Sequence, residues 1–387
     1  MPRCAVDAVQ WKNRRGYRLS NGTVEITVLT GGGHVADFRL RGSPVNLLWE
    51  APWQTIEPQT WSPTEHAAIY GDAPVGNLLC GYTGQGLALG YFGMPSATEI
   101  SRGMALHGEA ASSEWKIVRA AFDDHSASLV LEVVLPFYRL HFRREISLNA
   151  DACAVSIHEI VTNRCDTEVE FQWVEHAAFG EPFFANGDAS LFISGTRGVT
   201  CPPGYEGHEL LSSSTEFQWP HAQSIDREPI DISRPFLRDG TGFVASLLTD
   251  PGRENAFAVV HNRRLGLLAG YSFDRARFPW ITLWEENRAR HYAPWNGITR
   301  ARGVEFGTSP MPLGLDHARE MRTLFDTRVL TSLGGNASAE TQYQLFVSPV
   351  PQQWTAINDV RQSEGTLVLR GDEEEAITLD GWKPLPY

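Results

Sequence analysis

The chain has 387 residues, 42% apolar and 20% charged, a balance that excludes disordered, collagen-like and membrane-spanning classes. Its 33 basic and 46 acidic residues give a net charge of −13, with no Lys/Arg-rich run, so a nucleic-acid partner is not expected and a neutral ligand is favoured over an anionic one. No run of about 18 apolar residues and no apolar leader segment occur, and Cys4, Cys80, Cys153, Cys165 and Cys201 form no CxxC pair, so the expectation is a cytoplasmic protein with reduced thiols, no membrane contact and no structural zinc.

In chain order, short runs of β-branched and aromatic residues with period-two alternation predict strands at Thr23–Leu29, Leu87–Phe92, Glu114–Ala120, Ala127–Leu135, Tyr138–Leu148, Ala154–Thr162, Glu168–His176, Thr241–Leu248, Phe257–Val260, Leu265–Tyr271, Trp280–Trp284, Gly303–Gly307 and Thr341–Val347. The 35 Gly and 23 Pro, spread throughout, leave little room for long helices. Between 126 and 176 the strands follow one another across turn residues, which predicts antiparallel meander pairing. The fold class is therefore all-β, a large antiparallel sandwich. Without a linker or an internal repeat, residues 1–387 are expected to form one domain, with a loop insertion around 201–236 long enough to cover or narrow a site. The acidic run from Asp372 to Glu375 reads as a solvated turn.

Three segments place an ionisable group beside glycine and aromatic residues. In Gly103–Ala110, His107 precedes Gly108, where a missing side chain would admit a ligand close to the imidazole; a histidine satisfied in a turn fits the same pattern. In Phe171–Gly180, alternation puts Phe171, Trp173 and Glu175 on one face and Gln172, Val174 and His176 on the other, with His176 at the strand's end, suited to giving a proton to a substrate oxygen. In Arg302–Pro310, Glu305 shares a face with Gly303 and Gly307 and could be a general base whose pKa is raised by desolvation; an outward solvated carboxylate is equally compatible. Twelve tryptophans exceed what a core of this size needs, and indole rings stack on the C–H faces of sugars. Of these, Trp173 and Trp295 are the expected substrate contacts, together with Glu109. If His107 and Glu109 lay on a strand they would share a face and could chelate a metal, although no metal site is assigned.

Taken in order, these segments resemble the aldose 1-epimerase (galactose mutarotase-like) superfamily. The resemblance is carried by an N-terminal strand followed by Gly31-Gly32-Gly33 and Asn46-Leu47-Leu48-Trp49, by His107-Gly108 with Trp115 downstream, by Trp173 to Phe179 with His176, and by Gly303-Val304-Glu305. It implies a single antiparallel supersandwich. It also implies that Glu305 takes the proton of the anomeric hydroxyl, that His176 protonates the ring oxygen, and that His107 is a second contact to the sugar, without a cofactor. The residues after His107-Gly108 and after His176 depart from the family pattern, which leaves the sugar open. A carbohydrate-binding protein without catalysis, and a lyase, dehydratase or glycoside-cleaving reaction, metal-assisted through His107 and Glu109, stay as alternatives. The partner is a small sugar or glycoside in each case, and the oligomeric state is not legible.

Overall fold

The computed structural model describes residues 3–205, 207–363, 365–372 and 376–379. Alternating apolar residues drive two large antiparallel sheets together, because each buries one face and leaves the other free. The first, fourteen strands among the described residues, runs through Ala5–Trp11, Arg14–Ser20, Val24–Leu29, Val35–Leu40, Gln85–Gly90, Val169–Phe179, Arg300–Gly307, Trp280–Asn287, Thr241–Thr249 and Gly195–Thr200 before three short strands close its far edge, the fourteenth, Thr331–Leu333, pairing with Val169–Phe179 off this path. The second orders eight: Ala189–Ile193, Asn255–Asn262, Leu267–Asp274, Ser338–Pro349, Ala154–Asn163, Leu140–Asn149, Ser126–Leu135 and Lys116–Phe122. Their facing side chains form one apolar cluster that includes Leu87, Trp173, Ala177, Val304, Phe306, Leu131, Ile157 and Leu345. The all-β sandwich expected from the sequence is the observed architecture.

The expected meander holds from Ser126 to Asn163, where three strands pair in succession. The fourth departs from it. Val169–Phe179 crosses to the first sheet and pairs with Gln85–Gly90 and Arg300–Gly307. From Phe171 to Phe179 every residue is buried, and a strand covered on both faces is stable only inside a sheet that has material on each side. Further strands escaped the sequence reading: Ala5–Trp11, Arg14–Ser20 and Val35–Leu40, and a C-terminal three-stranded sheet at Ile357–Ser363, Thr366–Gly371 and Ala376–Leu379. That last sheet packs Trp354, Val360, Leu367 and Leu369 on Phe257, Val259 and Phe346, the outer face of the second large sheet.

The segment 201–236 carries short strands rather than a continuous loop. Glu216–Gln218, His221–Gln223 and Pro229–Asp231 extend the edge of the first sheet, and Leu210, Phe217, Ala222, Ile232 and Phe236 enter the interior cluster. A buried pair holds it there: Arg302 bonds Glu285 and donates to the carbonyls of Ile232 and Arg234, while Phe236 N donates to Glu285. In the acidic run, Asp372 accepts from the backbone N of Thr355; 373–375 lie outside the described residues.

The interior also encloses charge. Arg144, fully buried, bridges Glu159 at 2.6 Å and Glu175 at 2.8 Å; the Tyr343 hydroxyl lies within hydrogen-bond distance of both carboxylates, and the Gln85 amide donates to Glu175. Glu175 thus faces away from His176, as strand alternation requires. Burial lifts the Glu159 carboxyl well above its ordinary range, against the opposing pull of Arg144.

Candidate functional site

Pairing register assembles the site. Across five neighbouring strands of the first sheet, Gly86, His176, Glu305, Thr282 and Ser246 fall in one row, each opposite the next. Their chain neighbours Leu87, Ala177, Val304, Phe306, Ile281, Leu283, Ala245 and Leu247 belong to the interior, so the row lies on the sheet's other face. His176 and Glu305, 129 positions apart in the chain numbering, are thereby direct cross-strand partners. Nε2 of His176 is 3.2 Å from Oε1 of Glu305. Thr282 and Ser246 are already committed, since both hydroxyls donate to the carbonyl of Pro310.

His107 reaches the pair from a turn, not a strand. Its φ is 68° and that of Gly108 is 90°, and a Cβ at Gly108 would stand 2.3 Å from the carbonyl O of Leu89, so only glycine lets the turn lie against the strand Gln85–Gly90. The His107 ring stacks on Phe92 at 5.3 Å and lies 4.9 Å, centroid to centroid, from His176. Backbone N–H of Gly93 donates to its Nδ1 at 3.0 Å. His107 is thus the turn-satisfied histidine of the sequence reading, and it lies beside His176 as well.

Around the pair, six rings close a circle: Trp49, Trp53, Trp295, Trp284, His176 and Tyr82, with successive centroids 5.1 to 6.1 Å apart. Ala178 and Ala301 pack within this group. Trp53 and Trp284 keep accessible surface, whereas His176 is only 7% and Glu305 only 2% exposed. Burial explains the acid–base properties: the His176 imidazole falls to about 3, His107 falls well below its usual value with His176 adding to the effect, and the Glu305 carboxyl rises well above its own. Burial thus disfavours the charged form of each partner, and their facing atoms Nε2 and Oε1 stand 3.2 Å apart. Such a pair can give a proton at one atom while accepting one at the next.

Searches by sequence are silent: no family model and no curated protein matches the chain. Solved structures do match. A candidate aldose 1-epimerase from Klebsiella pneumoniae superposes with a TM-score of 0.63 at 16% identity, over 89% of this chain and 82% of that one. A galactose mutarotase-like protein from Clostridium acetobutylicum gives 0.58 at 14% identity, over 90% and 98%. A galactose mutarotase related enzyme from Lactobacillus acidophilus gives 0.52 at 11% identity, over 87% and 98%. The fold is the galactose mutarotase-like one.

On this mutarotase-like sandwich His107, His176 and Glu305 converge and Trp295 joins the surrounding rings, whereas Trp173 and Glu109 lie elsewhere. Trp173 is wholly buried between Phe142 and Phe278, on the interior face it shares with Glu175, and cannot touch a ligand at His176. Trp295 is 5% exposed, packs against both Trp53 and Trp284, and has the guanidinium of Arg290 over its ring. Glu109 accepts the backbone N–H groups of Phe137 and Tyr138, fastening the turn between two strands of the second sheet. Because His107 and Glu109 sit in a turn, the shared strand face that would make them chelate does not exist, and among the described residues no group of three His, Cys, Asp or Glu is placed to hold a metal. Nor is any described helix long and apolar enough to cross a membrane.

Sequence reasoning missed Tyr82, and it counted Trp53 and Trp284 among the surplus tryptophans without choosing them as contacts. Trp284 carried a usable signal, since it lies two residues from Thr282 on a predicted strand and opposite Gly303. Tyr82 carried none, because its partner is 94 residues away.

Proposed function

We propose that the chain is an aldose 1-epimerase, a sugar-active isomerase that interconverts the anomers of a free aldose. The observation that carries this reading is the 3.2 Å approach of Nε2 of His176 to Oε1 of Glu305, both side chains buried, with His107 alongside. Opening a pyranose needs a proton taken from O1 and one delivered to O5. Both oxygens are bonded to C1, so donor and acceptor must stand close together, as these two do. The reaction returns every proton it uses and calls for no cofactor.

His107 is neutral, and because its Nδ1 accepts from Gly93 its proton sits on Nε2, available to a sugar oxygen. Trp284 and Trp53 supply faces for the sugar's C–H surface. The test is polarimetry on freshly dissolved aldoses of several configurations. Acceleration of mutarotation for at least one sugar is expected, and its absence across the panel refutes the reading.

A further inference from the structure

We propose that Arg290 is a positioning residue for sugar binding: its guanidinium, clasped between the rings of Tyr205 and Trp295, holds the tryptophan group in place, so that the segment 201–236 acts on the site without touching the sugar. This rests on the reading of Trp284 and Trp53 as faces for the sugar.

The clamp is built from the sheet upward. Two residues along from Trp284, on the same strand face, stands Glu286, whose cross-strand partners are Gly242 and Ala301. Glu286 is wholly buried. Its Oε1 accepts the backbone N–H groups of Ala289 at 2.6 Å and Arg290 at 3.1 Å, and its Oε2 accepts from Nη1 of Arg290 at 2.9 Å. These three bonds fold the chain back over the end of the strand Trp280–Asn287 and fix where the guanidinium lies.

Two rings then enclose it. The Arg290 guanidinium carbon is 4.2 Å from the ring centroid of Tyr205 and 5.2 Å from that of Trp295, both within the range of cation–π attraction. Tyr205 belongs to the segment 201–236 and is itself fastened. Its hydroxyl donates to the Glu285 carbonyl at 2.6 Å, and its ring lies on Gly242, where a Cβ would come within 2.1 Å of it. Trp295 in turn meets Trp284 at 5.9 Å and Trp53 at 5.4 Å. A path of direct contacts thus runs from the sheet-edge segment to the two indoles that keep accessible surface.

The residue type matters. A guanidinium is planar, so it can lie against two rings while its edge bonds a carboxylate, whereas an ammonium keeps the charge and has no plane to offer. With that charge met by Glu286, the group serves the rings and not an anionic substituent of the sugar.

Anomer exchange measured by saturation-transfer NMR in Arg290→Lys, Tyr205→Leu and Tyr205→Phe tests this, together with 19F spectra of 5-fluorotryptophan-labelled protein taken without sugar. Expected is a rise in KM of about tenfold at nearly unchanged kcat in Arg290→Lys and Tyr205→Leu, recovered in Tyr205→Phe, which keeps the ring. In a Trp295→Ala background Arg290→Lys should add nothing further, because its effect passes through that ring. The Trp284 and Trp53 resonances, from rings that the guanidinium does not touch, should shift in Arg290→Lys. Unmoved Trp284 and Trp53 resonances, a fall in kcat at constant KM, losses that multiply with Trp295→Ala, or a loss confined to phosphorylated or carboxylated sugars overturn the proposal. The fluorine spectrum needs no sugar, so its outcome is separable from any failure of the epimerase reading.

Discussion

Gly303→Ala perturbs the site through one methyl group. A Cβ at Gly303 would stand 2.7 Å from Oε1 of Glu305 and 3.1 Å from both Cβ and Cε3 of Trp284. The indole is held among Trp295 and His176, so the carboxylate, at the end of a flexible side chain, is the part that yields. Restoring an ordinary contact of 3.4 Å moves Oε1 by about 0.7 Å, which displaces it from its 3.2 Å approach to His176. Displacements of about 1 Å cost on the order of 10²-fold in rate where geometry governs the transfer, and a loss of that size is expected in kcat/KM for anomer exchange. Stability should change by less than about 1 kcal/mol, since alanine also reduces the freedom of the unfolded chain. Saturation-transfer NMR on the sugar, with a thermal melt of the same sample, separates the two effects. A folded Gly303→Ala within twofold of the wild-type rate would refute the assignment of Glu305 to the reacting pair.

The pH profile of kcat/KM should show no histidine inflection between pH 5 and 7. The His176 imidazole, held down to about 3 by burial, stays neutral there, as do Tyr82 and His107, which also face it, while burial moves the Glu305 carboxyl up from its ordinary range. An inflection near 6.5, the ordinary histidine value, contradicts the account. Trp284→Ala should raise KM about tenfold with a smaller change in kcat, because a stacking face binds the ground and transition states alike; a collapse of kcat at unchanged KM speaks against a stacking role. Arg144→Met strands two buried carboxylates and should cost about 3–5 kcal/mol in denaturant titrations at pH 7.5. The loss should shrink toward pH 5. The Glu159 carboxyl, already raised in the folded protein, rises further without the guanidinium, and the stability tied to its proton is complete below its unfolded value and fades as pH climbs through the folded one. A larger loss at pH 5 than at pH 7.5 would reverse that linkage.

Strand alternation made much of this legible. It places His176 opposite Glu175, and Glu305 opposite Val304 and Phe306, and the structure keeps each on the stated face. The same rule, applied consistently, already argues against Trp173 as a sugar contact, because Trp173 shares the Glu175 face. Pairing order is another matter. Nothing local tells Val169–Phe179 to leave the meander and sit between Gln85–Gly90 and Arg300–Gly307, a choice made by burial of both its faces in the finished sandwich. Without that order His176 and Glu305 cannot be recognised as partners. Turns hid the rest: His107 and Glu109 obey no strand periodicity, and Tyr82 acquires its role only when the segment between Val35–Leu40 and Gln85–Gly90 folds back over the sheet.

The central claim is that Glu305 and His176 act as one proton-exchanging unit on a sugar. A double-mutant cycle in anomer exchange tests it most directly, with Glu305→Gln, His176→Asn and the double variant measured on the same aldose. Groups that work as a unit lose their function together, so each single variant and the double should fall to a common residual rate, at least about 10²-fold below wild type. Losses that multiply in the double variant, or a single variant that retains the wild-type rate, would contradict it.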